Sequence, residues 1–375
     1  MAQSDLNAAK TNKNDEFYTQ WSDIEAEVNA YIEYNPDVFK DKTILCPCDD
    51  PEWSNFTKYF AANFERLGLK KLICTSYAES AGNRQLSLFE KDSPFYVPSK
   101  HENNGKLFVV SHENKEGSYK TIDNVEFKGY LKGNGDFRSK EVTKLRDEAD
   151  FVITNPPFSL FRDFLAWIRE ADKKFLIIGN ISCITYKDVF PLLKSNTVWL
   201  GTGMGRWISG FIVPPEYELY GTEARIEDGK RIVSTNDCLW LTNIDHGKRH
   251  EWLQLDTMAH NLKFNKKLIK RLVNKCGVDP NNLCYPKYAN YDVVEVPYTE
   301  CIPSDYAGVV GVPISFMGKY NPEQFEIIGM AEDNGHGFSG ALSKWDGINP
   351  HCVVPSGKNM YKRLFVRNRH PKGAN

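Results

Sequence analysis

Phe151-Val152-Ile153-Thr154-Asn155-Pro156-Pro157-Phe158 joins two kinds of sequence. Its first four residues are apolar or β-branched without polar alternation, the pattern of a strand buried on both faces, as in a parallel sheet. The next four stop it. Two successive prolines fix φ and remove two backbone donors, which leaves the peptide carbonyls there facing outward as acceptors. Ligands of open α/β sheets bind outside the carboxyl ends of the strands, so this tetrapeptide stands where a site is expected. The Asn155 side-chain oxygen beside such a carbonyl makes two acceptors converging on one small donor. An exocyclic amino group has the two N–H bonds that this demands, and holding both frees its lone pair for attack. Phe158 offers a face on which a base can stack. A plain strand-ending turn with an aromatic plug is the alternative, and it loses weight when the turn follows a strand within an α/β alternation.

That alternation extends to either side. A helix is expected after Asp23, with Ile24, Val28, Tyr31 and Ile32 on one face and a stop at Asn35-Pro36. Thr43 to Cys48 reads as a short buried strand. Ser54 then caps a helix carrying Phe56, Tyr59, Phe60, Phe64 and Leu67, ended by Gly68. Lys71 to Tyr77 is the next strand, and residues 94–133, broken by Gly and Asn, form an excursion with short β-like runs. A helix over Ser139–Ala149 leads into Phe151–Thr154, followed by a helix over Leu160–Ala171 and a strand over Phe175–Ile178. Helical sequence over Tyr186–Lys194 and the run Val198–Leu200 continue the pattern, which fades after about Ile244. Strand, helix and strand with short loops imply parallel, right-handed α/β units. Beyond Ile244 lies a basic amphipathic helix, with Leu262, Leu268, Leu272, Val273 and Cys276 inward and Lys266, Lys267, Lys270 and Arg271 outward. Two domains are expected, 1–245 and 246–375.

No run approaches the ~18 apolar residues of a membrane helix, and Met1 to Asp5 lacks a signal pattern, so a cytoplasmic protein is expected. The nine cysteines are scattered; Cys46-Pro47-Cys48 is the only close pair, without the second pair or histidines that zinc requires, and no metal is expected. The net charge of −2 argues weakly against a nucleic-acid partner, but the bases are segregated. His246 to Lys275 holds eight Lys or Arg against two acids, and Ala341 to Asn375 seven against one. Either cluster alone reads as a solvated face; two in the same half favour a nucleic-acid surface.

Three further segments carry chemistry. Asp49-Asp50-Pro51-Glu52-Trp53-Ser54 lies between the first strand and its helix, where a nucleotide-like cofactor sits in doubly wound folds; capping plus a turn is the alternative. In Gly133-Asn134-Gly135-Asp136-Phe137-Arg138, a carboxylate beside an aromatic either binds an adenine or marks a surface turn. Phe17 and Tyr18, within Asp15-Glu16-Phe17-Tyr18-Thr19-Gln20, either close over a cofactor or staple the first helix.

In this order the segments resemble the S-adenosylmethionine-dependent amino-methyltransferases, and among them the EcoRI-type adenine-specific DNA methyltransferases. Asp15–Gln20 looks like the motif that closes over the methionine part of the cofactor, Cys48–Pro51 like the loop after the first strand, Gly135–Ser139 like the adenine-binding motif, and Thr154–Arg162 like the catalytic motif. Ile184–Phe190, Ser209–Pro214, Tyr220–Ile226, Tyr285–Tyr288, Gly311–Pro313 and Asn321–Glu326 extend the resemblance over most of the chain. It departs in two places. Ser54 and Phe56 stand where glycines are usual, and the basic helix at 259–278 looks like extra material.

The resemblance implies a Rossmann-like S-adenosylmethionine-dependent methyltransferase sheet with a C-terminal target-recognition region. It implies that an adenine is flipped from double-stranded DNA and methylated at N6 for restriction-modification or epigenetic marking. Asn155, Pro156, Pro157 and Phe158 would be catalytic, with Phe211 or Trp207 covering the second face of the base. Phe17, Tyr18, Thr19, Asp49, Asp50, Pro51, Tyr77, Asp136 and Phe137 would hold the cofactor. Lys362, Arg363, Arg367 and Arg369 would contact DNA phosphates or guanines. A monomer or weak dimer is expected. The alternatives are an RNA or protein-glutamine methyltransferase, and a DNA-binding module with a dead core.

Overall fold

The computed structural model describes residues 18–50, 52, 54–78, 93, 95–101, 103–112, 121–122, 125–205, 208–213, 219, 224–233, 237–331, 352–360 and 362–373. The chain divides into two compact units, Met1–Ile181 with Leu200–His246, and Ser182–Trp199 with Gly247–Asn375. The elements up to residue 246 are β1 (Tyr18–Thr19), α1 (Trp21–Tyr34), β2 (Thr43–Cys46), α2 (Asn55–Ala62), β3 (Lys71–Thr75), β4 (Lys106–Ser111), β5 (Thr121–Ile122), β6 (Val125–Tyr130), α3 (Lys140–Glu148), β7 (Phe151–Thr154), α4 (Phe161–Glu170), β8 (Lys174–Asn180), α5 (Phe190–Lys194), β9 (Trp199–Met204), β10 (Phe211–Val213), β11 (Arg225–Glu227), β12 (Lys230–Val233) and β13 (Cys238–Thr242).

The first unit is built on a nine-stranded mixed sheet of order β5-β6-β4-β3-β2-β7-β8-β13-β9. Strands β3, β2, β7 and β8 are parallel, whereas β4 and β13 run antiparallel to their neighbours β3 and β8. The excursion at 94–133 therefore supplies antiparallel strands that widen the parallel core. From β2 the chain steps out to β3 and later returns to β7 on the other side of β2, so the direction of winding reverses between β2 and β7. In open α/β sheets such a reversal marks where ligands bind, at the carboxyl ends of the two strands.

Burial explains the apolar runs. Ile44 and Cys46, Leu72 and Cys74, Phe151 and Ile153, and Leu176 and Ile178 share one core with Ile24, Val28 and Tyr31 of α1 and Phe56, Tyr59 and Phe60 of α2. The intervening Leu45, Ile73, Val152, Phe175 and Ile177 are buried as well. Strands covered on both faces cannot alternate, which is why β2, β3 and β7 carried no polar period. Ser54 and Ser139 cap α2 and α3, their hydroxyls accepting from Phe56 N at 3.1 Å and Val142 N at 3.2 Å.

One core feature follows no hydrophobic pattern. Glu27 of α1 is buried and accepts from Thr202 N (2.8 Å), Thr202 Oγ1 (2.6 Å), Gly203 N (2.9 Å) and Tyr31 Oη (2.9 Å). A Cβ at Gly201 would collide with the Glu27 carboxylate and with Trp240, so this edge of the sheet admits α1 only because the residue is glycine.

The second unit holds α6 (Met258–Phe264), α7 (Lys266–Arg271), a π-helical turn over Leu272–Cys276, and strands β14 (Val294–Glu295), β15 (Val309–Pro313), β16 (Phe325–Met330), β17 (Cys352–Val353), β18 (Asn359–Met360) and β19 (Arg363–Asn368). A four-stranded sheet of order β14-β15-β19-β16 forms its centre. The basic helix expected as one element is two. Asn265 ends α6 and caps α7, its side chain accepting from Leu268 N at 2.9 Å. Among the described residues no helix is long and apolar enough to cross a membrane.

Candidate active site

Asn155 to Phe158 follow directly on β7, and Asp49 lies three residues past the end of β2, the strand beside it. Pro156 is buried, while Asn155, Pro157 and Phe158 are half-buried. Leu160 N donates to the Pro157 carbonyl at 3.0 Å, which turns the chain from the tetrapeptide into α4. The Phe158 ring meets Phe211 edge-on, with centroids 6.3 Å apart and planes at 79°. Phe211 is 1% exposed and braces Phe158. Trp207, the other residue considered as cover for the second face of a base, lies outside the described residues.

Asp49 is the hub of the two strand ends. Ser54 Oγ donates to Asp49 Oδ1 at 2.6 Å, and Thr154 Oγ1 donates to Asp49 Oδ2. One carboxylate thus ties the carboxyl end of β2 to the start of α2 and to the last residue before Asn155. Burial raises its pKa to about 7, against the opposing pull of the two hydroxyls. Neighbouring Asp50 and Glu52 are held by Lys106 of β4, whose amine is 3.3 Å from Asp50 and also pairs with Glu52. Burial alone would lower the Lys106 pKa, but the two carboxylates hold it above its ordinary value. Burial pushes the Cys48 thiol up, so no thiolate nucleophile is prepared here.

The other expected cofactor residues reach the same region by separate routes. Tyr18 and Thr19 pair with Ile212 and Phe211, and Asn55 Nδ2 at the start of α2 donates to the Thr19 carbonyl at 2.8 Å. The Thr19 hydroxyl is buried, with no hydrogen-bond partner among the described residues. Tyr77, just past β3, is 46% exposed. Ala78 N donates to the Asn134 carbonyl at 2.7 Å, drawing the 133–138 turn against the end of β3. Gly135 has φ +86°, and a Cβ there would strike the Ser76 carbonyl, so the turn requires glycine. Asp136 accepts from Arg138 Nε at 3.0 Å and Nη2 at 2.7 Å, which holds its carboxyl below the usual range. Phe137 calls for a correction. It is buried edge-on against Phe164 (4.9 Å) and Trp167 (5.5 Å) of α4, so its ring packs in the core. Phe17 and Pro51 lie outside the described residues.

The basic residues near the C-terminus divide. Lys362 Nζ donates to Thr185 Oγ1 at 3.1 Å, and Arg367, 47% exposed, is 3.4 Å from Glu326. Arg369 Nε donates to the Pro322 and Phe325 carbonyls at 3.1 and 3.2 Å. Arg363 is buried, and its Nε and Nη2 each donate to Glu295 at 2.9 Å. Its guanidinium is engaged in holding β19 to the strand group, so Arg363 is withdrawn from the expected DNA contacts. Among the described residues no group of three or more His, Cys, Asp or Glu is placed to hold a metal. Nothing in the sequence indicated that Thr154, the first residue of the catalytic-like motif, would bond Asp49, or that Lys106, which looked like a strand end, would pair with Asp50 and Glu52.

The model of the family described as "Adenine-specific methyltransferase EcoRI" matches residues 5–369. The chain belongs to that family. It is therefore an adenine-specific DNA methyltransferase. It is 44% identical over 365 residues to the Type II methyltransferase M.EcoRI of Escherichia coli, covering 97% of this chain and 96% of that one. Type II methyltransferase M.MpnI of Mycoplasma pneumoniae is 32% identical, with 97% and 98% covered, and M.MgeORF184P of Mycoplasma genitalium is 33% identical, with 86% and 85% covered. No solved structure matches the methyltransferase. Membership sets aside the RNA and protein-glutamine alternatives.

Proposed function

We propose that the carboxyl ends of β2 and β7 receive S-adenosylmethionine and an adenine rotated out of duplex DNA, and that methylation falls on N6 of that base. The observation that carries this reading is the placement of Asn155 and Pro156 beside Asp49, where the winding of the sheet reverses. The cofactor fits the residues present: the buried Thr19 hydroxyl is a donor suited to the carboxylate of its methionine part. Thr19, Tyr18, Tyr77, Asp49, Asp50 and Asp136 would surround it. When bound, it supplies a methyl group on a sulfonium, an electrophile that needs no further activation.

The chain's own contribution is positional. The Asn155 side-chain oxygen and the Pro156 carbonyl accept the two N–H bonds of the adenine amino group, and Phe158, braced by Phe211, stacks on the ring. Two acceptors on one amine pull its nitrogen toward tetrahedral geometry and turn its lone pair outward. Positioning of this kind supplies most of the acceleration when the electrophile is already reactive. The second unit would carry target recognition, with Lys362, Arg367 and Arg369 toward the DNA. The test is Asn155→Ala, assayed with radiolabelled cofactor and plasmid DNA. Transfer is expected to fall by about 10²–10³-fold, as when one preorganised polar group is lost from an active site, with DNA affinity retained. Transfer within a fewfold of the parent would overturn the assignment.

A further inference from the structure

Residues 258–276 contain Lys263, Lys266, Lys267, Lys270, Arg271 and Lys275, and no Asp or Glu. Packing fixes how α6 and α7 are rolled. Leu268, Leu272 and Cys276 are fully buried, so the opposite side of α7 faces water. Lys266, Lys267 and Lys270 of α7 are exposed, with Lys270 four residues after Lys266 and three after Lys267, and Lys263 near the end of α6 is exposed as well.

Among the described residues the charge on this side is only partly balanced. Lys267 stands 3.7 Å from Glu300 and 4.0 Å from the Tyr298 ring, both contacts largely open to solvent. Among the described residues Lys263, Lys266 and Lys270 have no ion-pair partner. Like charges three and four residues apart repel on a helix, so such a stripe is maintained against its own electrostatics. An external polyanion removes that penalty. Amines rather than guanidinium forks line the stripe, and an ammonium acts as a point charge suited to single phosphate oxygens, not to the paired acceptors of a guanine edge.

We propose that the Lys263–Lys266–Lys267–Lys270 face of α6 and α7 grips the phosphate backbone of duplex DNA without reading its sequence. The proposal rests on duplex DNA being the substrate.

The test is a triple variant, Lys263→Gln, Lys266→Gln and Lys270→Gln, that leaves the partly paired Lys267 in place. Affinity for a duplex bearing the recognition site and for a scrambled duplex is measured across salt concentrations. Each lost phosphate contact reduces the slope of log affinity against log salt by about 0.9, so a reduction of about 2–3 is expected. Both duplexes should lose affinity by the same factor, about 10–100-fold near physiological salt. The KM for DNA should rise, with kcat at saturating DNA and the KM for the cofactor unchanged, and the Lys→Arg triple should restore the slope. An unchanged slope overturns the proposal, and so does a loss confined to the specific duplex or a fall in kcat. If the parent protein fails to methylate DNA at all, the functional reading fails instead, and the two failures are distinguishable.

Discussion

Asp49→Asn is expected to make the methyltransferase more stable and less active at the same pH. The Asp49 carboxyl has a pKa of about 7 in the folded chain because burial disfavours its charge, against 3.8 when exposed. Between these values the folded state binds the proton that the unfolded chain has released, so stability declines as pH rises from about 4 to 7 and is level above that. The full difference corresponds to about 4 kcal/mol at pH 8 and about 1.5 kcal/mol at pH 5. Asparagine carries no charge and escapes this cost. It gives up one acceptor, so either Ser54 or Thr154 must turn its hydroxyl, at about 1–3 kcal/mol. Denaturant unfolding at the two pH values should therefore show the variant gaining about 3 kcal/mol on the parent between pH 5 and pH 8, and exceeding it in stability at pH 8. Turnover should fall by about 10–100-fold, because Thr154 precedes Asn155 directly and small displacements of a reacting pair are costly. A stability difference that does not change with pH would refute the reasoning. So would parental turnover in the Asp49→Asn protein.

Gly201→Ala should destabilise the first unit by about 2–4 kcal/mol, read by thermal unfolding, since the new methyl group meets both the Glu27 carboxylate and Trp240 with no room to yield. Arg363→Ala should cost about 3–5 kcal/mol by leaving Glu295 charged and buried, while Arg363→Met with Glu295→Leu should recover much of that, as chemical denaturation would show. At temperatures where Arg363→Met/Glu295→Leu remains folded, its DNA affinity should equal that of the parent; a large loss would return Arg363 to the DNA contacts.

Much of the architecture was legible in local pattern. The unbroken apolar runs at 43–46, 71–75 and 151–154 announced strands covered on both faces, and Ser54 and Ser139 marked the starts of helices that they cap. The placement of Asn155 to Phe158 at a strand's end followed from the prolines that stop the strand. Other features depended on distant partners. Nothing near Glu27 indicates that it will be buried against Thr202 and Gly203, 175 and 176 residues away. The antiparallel direction of β4 could not be read from its residues, because the direction of a strand leaves no mark on them, and β13 was not anticipated as a strand.

The sequence by itself determined the buried strands and the turn at Asn155–Phe158 that ends one of them, since φ restriction, missing donors and apolar period are properties of neighbouring residues, and its longer motifs carried the resemblance to the family. Tertiary structure alone decided which charged and aromatic residues are buried or paired. Phe137 and Arg363 are drawn into cores, Asp49 becomes the tie between two strand ends, and Lys106 pairs with Asp50 and Glu52, because burial and pairing depend on what the fold brings close.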